Sequence, residues 1–211
     1  MKTVVLLHSP DPAFVEGLPA LLRHRPWATE ASRIVVHLPL PSVPASEEES
    51  ACAPCDAVIE IWSSEAVHPF IATDAALAGA WLDIRGSEEI IGKAGEGMPP
   101  PGVTPGLSQL SFIEAIADLP RSEVERHWSE HIPLADAIHI GMNRYVQDRF
   151  SPAESANARW FGMAHLHFPD ERALTEGLFR RPEDIALITT DVAEFVAEHA
   201  TMTVIEHVVK G

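Results

Sequence analysis

Hydrophobic positions along the 211-residue chain fall into short runs separated by turn-forming stretches. KTVVLLHS, near the start, is an unbroken apolar run of strand length, whereas residues 14 to 23 place their apolar groups at helical spacing. ASRIVVHL and AVIEIW read as further strands, residues 67 to 82 as a helix and SEEIIGK as a short strand, giving the order β-α-β-β-α-β. The second half repeats that order. LSFIEAIA is a strand, and Ser122 with Glu125 three residues on forms a capping box that opens a helix. AIHIGMNRYVQ and RWFGMAHLHF read as strands, residues 171 to 179 and 184 to 198 as helices, the latter behind Pro182, and TMTVIEHVVK as a closing strand.

Residues 92 to 106, GKAGEGMPPPGVTPG, are too rich in Gly and Pro for a regular element. They predict a division into residues 1–93, a linker at 94–106, and residues 107–211. PLPSVPASEEESACAP reads as a long exposed loop. Each unit has the element order of a ferredoxin-like split β-α-β, an antiparallel sheet with helices on one face and the other face in need of cover. Two such sheets in one chain can cover each other. The expected fold is therefore α+β: two ferredoxin-like repeats paired as an internal pseudo-dimer, with a barrel-like core and the helices outside.

Composition narrows the setting. With 46% hydrophobic and 22% charged residues the chain is globular in character, and no run approaches the roughly 20 apolar residues that span a bilayer. MKTVVLLHSPDPAF lacks the small-residue cleavage signature of a secretory leader and reads as a first strand. A net charge of -16 repels phosphate backbones and anionic lipid, so neither nucleic acid nor a membrane surface is expected as a partner. Cys52-x-x-Cys55 falls in a loop rather than at a strand-to-helix turn, with no second pair to complete a zinc site. Ordinary thiols in a reducing cytoplasm fit that placement.

The candidate chemistry lies in the second unit. Val124, Trp128, His131 and Ala135 recur at helical spacing, which turns His131 inward beside an indole. An imidazole titrating near ~6.5 can take and return a proton at neutral pH, or else serve as a buried hydrogen-bonding residue at the helix end. Tyr145, the only tyrosine, shares strand parity with His139, Gly141, Asn143 and Gln147, a polar row that lines either a pocket or the seam between sheets. Its phenol suits a substrate oxygen or a developing enolate. His165 and His167 share a face with Phe161 and Met163, placed to hold His131, to contact a ligand or to stay exposed; Trp128 and Trp160 offer apolar walls.

His127 to His131 reads as H-x-x-E-H, a metal pattern, but Pro133 is expected to stop the helix within two residues and no further ligand is in view. No metal is assigned, although a metal-binding histidine site stays open as an alternative. Gly-x-Ser-x-Gly, a phosphate-binding glycine loop and a dinucleotide fingerprint are all missing.

The run WSEHIPLADAIHIGMNRYVQ, with FGMAHLHF and the closing strand, resembles the EthD family of the dimeric α/β-barrel superfamily. The resemblance covers residues 107 to 211 and is most specific at His131-Ile132-Pro133-Leu134 and at Gly141-x-x-Arg144-Tyr145-Val146-Gln147. Trp128 lies one residue nearer to His131 than the family pattern places its Trp, and Phe161-Gly162, His165 and His167 stand where the family tends to Asp-Gly, Glu and Trp. The first unit keeps that strand pattern in Asp56-Ala57-Val58-Ile59-Glu60-Ile61-Trp62 but has no Trp and His on its first helix. This complementary loss implies a duplication with a degenerate first repeat and one working pocket, in the second. By analogy with related barrels, the resemblance implies a cofactor-independent lyase, cyclase or isomerase acting on a small aromatic or polyketide-like carbonyl compound. In that reading His131 is the acid/base, Tyr145 a hydrogen-bond donor, and Trp128, Asn143, Trp160, His165 and His167 contact substrate. The alternative is a non-catalytic protein that binds a small hydrophobic molecule. A homodimer through exposed edge strands is open to either reading.

Overall fold

The most apolar runs form strands that are walled on both sides. In the computed structural model, which describes residues 1–40, 53–97, 99–152 and 159–211, strand β1 (Lys2–His8) is buried along nearly its whole length. Val4 and Leu6 enter one apolar cluster and Val5 and Leu7 another. A strand buried on both faces loses the alternation of a half-exposed one and reads as continuous.

Helix α1 (Pro12–Leu22) follows, capped by Asp11, whose side chain accepts from the Ala13 N–H at 3.0 Å. Strands β2 (Ala31–Pro39) and β3 (Ala57–Ser63), helix α2 (His68–Ala72) and strand β4 (Trp81–Lys93) complete the first half. A short β5 (Gly102–Val103) lies in the Gly/Pro-rich segment, where it pairs with the last strand. The second half comprises β6 (Leu107–Ala115), α3 (Arg121–Ile138), β7 (Arg144–Phe150), β8 (Gly162–Phe168), α4 (Glu171–Gly177), α5 (Glu183–Val192) and β9 (Val196–Lys210).

The strands order as β2-β3-β1-β4-β7-β8-β6-β9, all antiparallel, and β2 also pairs β9, which closes an eight-strand barrel. Within each half the strands fall in the same order, second-third-first-fourth. The molecule thus has a lumen shared by both halves and two outer layers, one under α1 and α2 and the other under α3 and α5. Among the described residues no helix is long and apolar enough to cross a membrane.

Several local expectations change. The helix expected over residues 67 to 82 shrinks to α2 and a single 3-10 turn, Ala75–Leu77, because the Asp74 carboxylate accepts from the Ala76 N–H and from the Trp27 indole at 2.8 Å. Residues 81 and 82 join β4. No capping box forms at Ser122: the helix starts at Arg121, and Glu125 pairs with the Arg121 guanidinium at 2.7 Å. Pro133 does not stop α3, which runs on to Ile138. Its buried face, Val124, Trp128, His131, Ala135 and Ile138, continues across the proline. Burying large apolar groups at ~1.5–3 kcal/mol each outweighs the ~3 kcal/mol of an interior proline. Residues 138 to 143 therefore belong to the helix end and a turn rather than to the strand expected there, and residues 196 to 198 belong to β9. Cys55 is buried beside Met202, with its sulfur 3.8 Å from the thioether; Cys52 lies outside the described residues.

Candidate functional site

Between α3, α5 and the outer face of β6, β8 and β9 lies a cavity of about 400 Å³. Its walls are mostly apolar, with Ile113, Ala135, Leu166, Ile188, Val192 and Phe195 prominent. Gly162 makes room for one wall, since a Cβ there would lie 2.6 Å from the Trp128 ring. The indole lies against the sheet for that reason.

His131 faces this cavity from α3. Its Nδ1 lies 2.5 Å from Asp191 Oδ2 on α5, while Nε2 has no hydrogen-bond partner among the described residues. A carboxylate on one ring nitrogen fixes the tautomer and leaves the other nitrogen basic. Tyr145 also lines the cavity. Its oxygen accepts from the Gln147 amide at 3.0 Å, and the same amide donates to the Trp128 carbonyl at 2.6 Å. Gln147 is itself oriented by Arg149, which donates to its Oε1 at 3.2 Å and to Ser129 Oγ at 2.6 Å. Burial pushes the phenol pKa up to about 12, against the hydrogen bonds of Gln147 and Trp128. It is a neutral donor at any physiological pH. His139, also on the cavity wall, is held to the Leu178 carbonyl through Nδ1, and burial lowers its pKa.

Of the residues expected to form one pocket, His131, Tyr145 and Trp128 come together here. The other four lie elsewhere, because strand parity turns them to the opposite face of the sheet or into a turn. Trp160 packs in the lumen cluster, its ring 5.7 Å from Phe112, and is not a wall beside Trp128. His167 is tied to Asn143 Oδ1 at 2.7 Å and to the Pro105 carbonyl at 3.1 Å. Asn143 thus serves a turn rather than a strand row. His165 points into the lumen, where its Nε2 lies 2.8 Å from Ser108 Oγ and 3.3 Å from Arg144 Nη2, and it cannot support His131. His127 lies 3.3 Å from Glu194 and stacks on Phe195, apart from any cluster of ligating groups among the described residues.

Sequence reasoning missed Asp191, which is 60 residues from His131. It also missed the buried charges of the lumen. Lys2 Nζ lies 2.7 Å from Glu60, 2.7 Å from Glu89 and 2.8 Å from Asp148. Burial works against that ammonium, but Asp148, Glu60 and Glu89 outweigh it and push its pKa up. Burial raises Asp148 to about 7 despite Lys2. Glu60 is opposed by burial yet held well below the carboxylate range by Lys2 and by His37, at 2.8 Å. Glu206 takes Arg144 and Thr104, and with His37 and His165 it makes the set of groups best arranged to hold a metal among the described residues. Burial, with Arg144 next, keeps His165 neutral by lowering its pKa well below the imidazole range.

No protein-family model matches the sequence, and no curated protein does. Solved structures share the fold. An anthrone oxidase-like protein aligns over 100% of this chain and 94% of its own, with 11% identity and a TM-score of 0.63. A provisionally named monooxygenase from Fusobacterium nucleatum aligns over 99% and 91%, with 9% identity and a TM-score of 0.56. Another, from Lactobacillus acidophilus, aligns over 97% and 92%, with 9% identity and a TM-score of 0.52. At such identities the likeness establishes the fold alone.

Proposed function

We propose that the cavity beside His131 is the active site of a cofactor-independent enzyme that moves a proton on a small aromatic or polyketide-like carbonyl compound, as a lyase, cyclase or isomerase does. The observation that carries this is His131 in the wall of an apolar cavity, with Asp191 Oδ2 2.5 Å from its Nδ1. With Nδ1–H donating to Asp191, His131 Nε2 takes a proton from the carbon next to the carbonyl. The electron pair moves onto the carbonyl oxygen, where the Tyr145 O–H donates to the enolate. The protonated imidazole, stabilised by Asp191, returns the proton to another carbon or to a leaving group. Gln147 and Arg149 hold Tyr145 in place. The name of the anthrone oxidase-like relative in fold suits this substrate class, since an anthrone is an aromatic ketone with an acidic methylene.

The same reading takes the chain as a tandem duplication of an EthD-type unit, residues 1–93 and 107–211 joined by 94–106, with only the second pocket kept. The shared strand order of the halves supports it. A cytoplasmic location and self-association belong to this reading as well, the latter open to sedimentation velocity.

Exchange of the anthrone methylene protons for deuterium, followed by NMR, tests the chemistry. His131→Asn is expected to slow exchange by about 10²–10⁴-fold while anthrone still binds, and Asp191→Asn to slow it less. Equal exchange with and without wild-type protein, together with binding that depends on Trp128 and not on His131, would leave a binding pocket in place of an enzyme.

A further inference from the structure

On the other side of the sheet from His131, inside the barrel, His37 on β2, His165 on β8 and Glu206 on β9 bring ligand atoms within 4.8 Å of one another, all three residues buried. We propose that these residues bind a divalent transition-metal ion of the zinc class, with a remaining coordination position toward the pocket at the barrel mouth. Two imidazoles and a carboxylate are a donor set suited to such an ion.

The hydrogen bonds leave the required lone pairs. His37 Nε2 is engaged by Glu60 Oε2 at 2.8 Å, while its Nδ1 is buried without any hydrogen-bond partner. A carboxylate behind one ring nitrogen, with the other free, is how metal-ligating histidines are oriented. At His165, Nε2 is approached by the Ser108 hydroxyl and by an Arg144 N–H. A guanidinium only donates, so Nε2 carries the lone pair. That same Arg144 nitrogen is bonded to Glu206 Oε2. A single N–H group thus lies between a histidine lone pair and a carboxylate, where an ion of higher charge would engage both more strongly.

Arg144 has somewhere to go. It lines a mouth pocket of about 240 Å³ together with Gly95, Gly97, His165 and Glu206. His37 and Glu206 also face each other across β2 and β9, the pairing that closes the barrel. A metal there would staple the closure, and binding should raise the melting temperature.

Chelator-treated protein is titrated with Zn²⁺ by calorimetry and with Co²⁺ by absorption, and crystals of the wild type soaked in Zn²⁺ are examined by anomalous diffraction. The expected result is an ion bound with an anomalous peak between His37, His165 and Glu206. His165→Asn should weaken binding at least tenfold, Arg144→Gln should tighten it, and His127→Asn should leave it unchanged. The proposal is overturned if neither wild type nor Arg144→Gln binds Zn²⁺, if His165→Asn binds as tightly as wild type, or if the peak lies elsewhere. The diffraction result stands even if a variant fails to fold.

Discussion

The two outer layers of the barrel have the same plan and different fillings. Under α1 and α2, the outward residues of β1 and β3 are Val5, Leu7, Ile59 and Ile61, met by Leu18, Leu22, Trp27, Ile71 and Leu77 in one apolar cluster. Under α3 and α5, the matching strands β6 and β8 present Gln109, Ser111, Ala164 and Leu166 to a cavity of about 400 Å³. Trading branched apolar side chains for small or polar ones removes the atoms that would fill the layer. It also supplies hydrogen-bonding groups around the space that results. The first layer is packed throughout, and the second gives up some packing around an open volume lined by His131 and Tyr145, which is where the proposed reading puts function.

The largest expected effect breaks the filled layer. Leu18 is fully buried among the residues of that cluster. Leu18→Ala should cost about 2–5 kcal/mol, read as a lower urea midpoint at an unchanged slope. A cost below about 1 kcal/mol would mean that the first layer is as loose as the second and that the contrast is unfounded.

Much of this was legible in the chain. The apolar runs marked the strands, since barrel strands are walled on both faces, and the repeated element order anticipated the matching strand order of the halves. Helical spacing turned His131 inward. What stayed hidden depends on contacts between distant segments. Asp191 stands on a helix beside Val192 and three residues after Ile188, both facing the cavity, and a carboxylate next to those apolar positions was the available signal. Period-two parity put His165 and His167 on one face correctly but not on which side of the barrel wall that face would lie. The lumen charges were hidden for a different reason, because a hydrophobicity pattern assigns Lys2, Glu60 and Glu206 to solvent. Strand pairing sets Lys2 beside Glu60 on the neighbouring strand, and the assembled sheet brings Arg144 of β7 to Glu206 of β9.

The seam between the halves offers the next test. Lys2 from the first half meets Asp148 from the second, whose pKa burial raises to about 7. Between the usual carboxylate range and pH 7 the folded chain keeps a proton on Asp148 that the unfolded chain has released. Each rise in pH over that window therefore costs the folded state roughly 1 kcal/mol per unit, and the cost levels off above 7. Glu60 has the opposite shift and contributes steadily above its unfolded pKa, so it does not mask the slope. Asp148→Asn cannot titrate. Stability from urea unfolding, wild type minus Asp148→Asn, should decline between pH 5 and 7 and then flatten. A flat difference throughout would show that the seam holds Asp148 ionised.

The smallest effect sharpens the comparison most directly, because one kind of substitution is made in both layers. Ala135 on α3 is buried and lines the cavity, whereas Ala28 is buried within the filled cluster. Leucine at residue 135 should extend into open volume without forcing its neighbours off their rotamers. The change in stability is expected to stay within about 1.5 kcal/mol. Leucine at residue 28 has no such volume, and overpacking there should cost about 1–3 kcal/mol. Ala135→Leu should also weaken anthrone binding, followed by quenching of tryptophan fluorescence, while Ala28→Leu should leave that affinity alone. If the two variants lose equal stability, or if Ala135→Leu binds anthrone as the wild type does, the second layer is not the hollow one and its histidine pair has no chamber to work in.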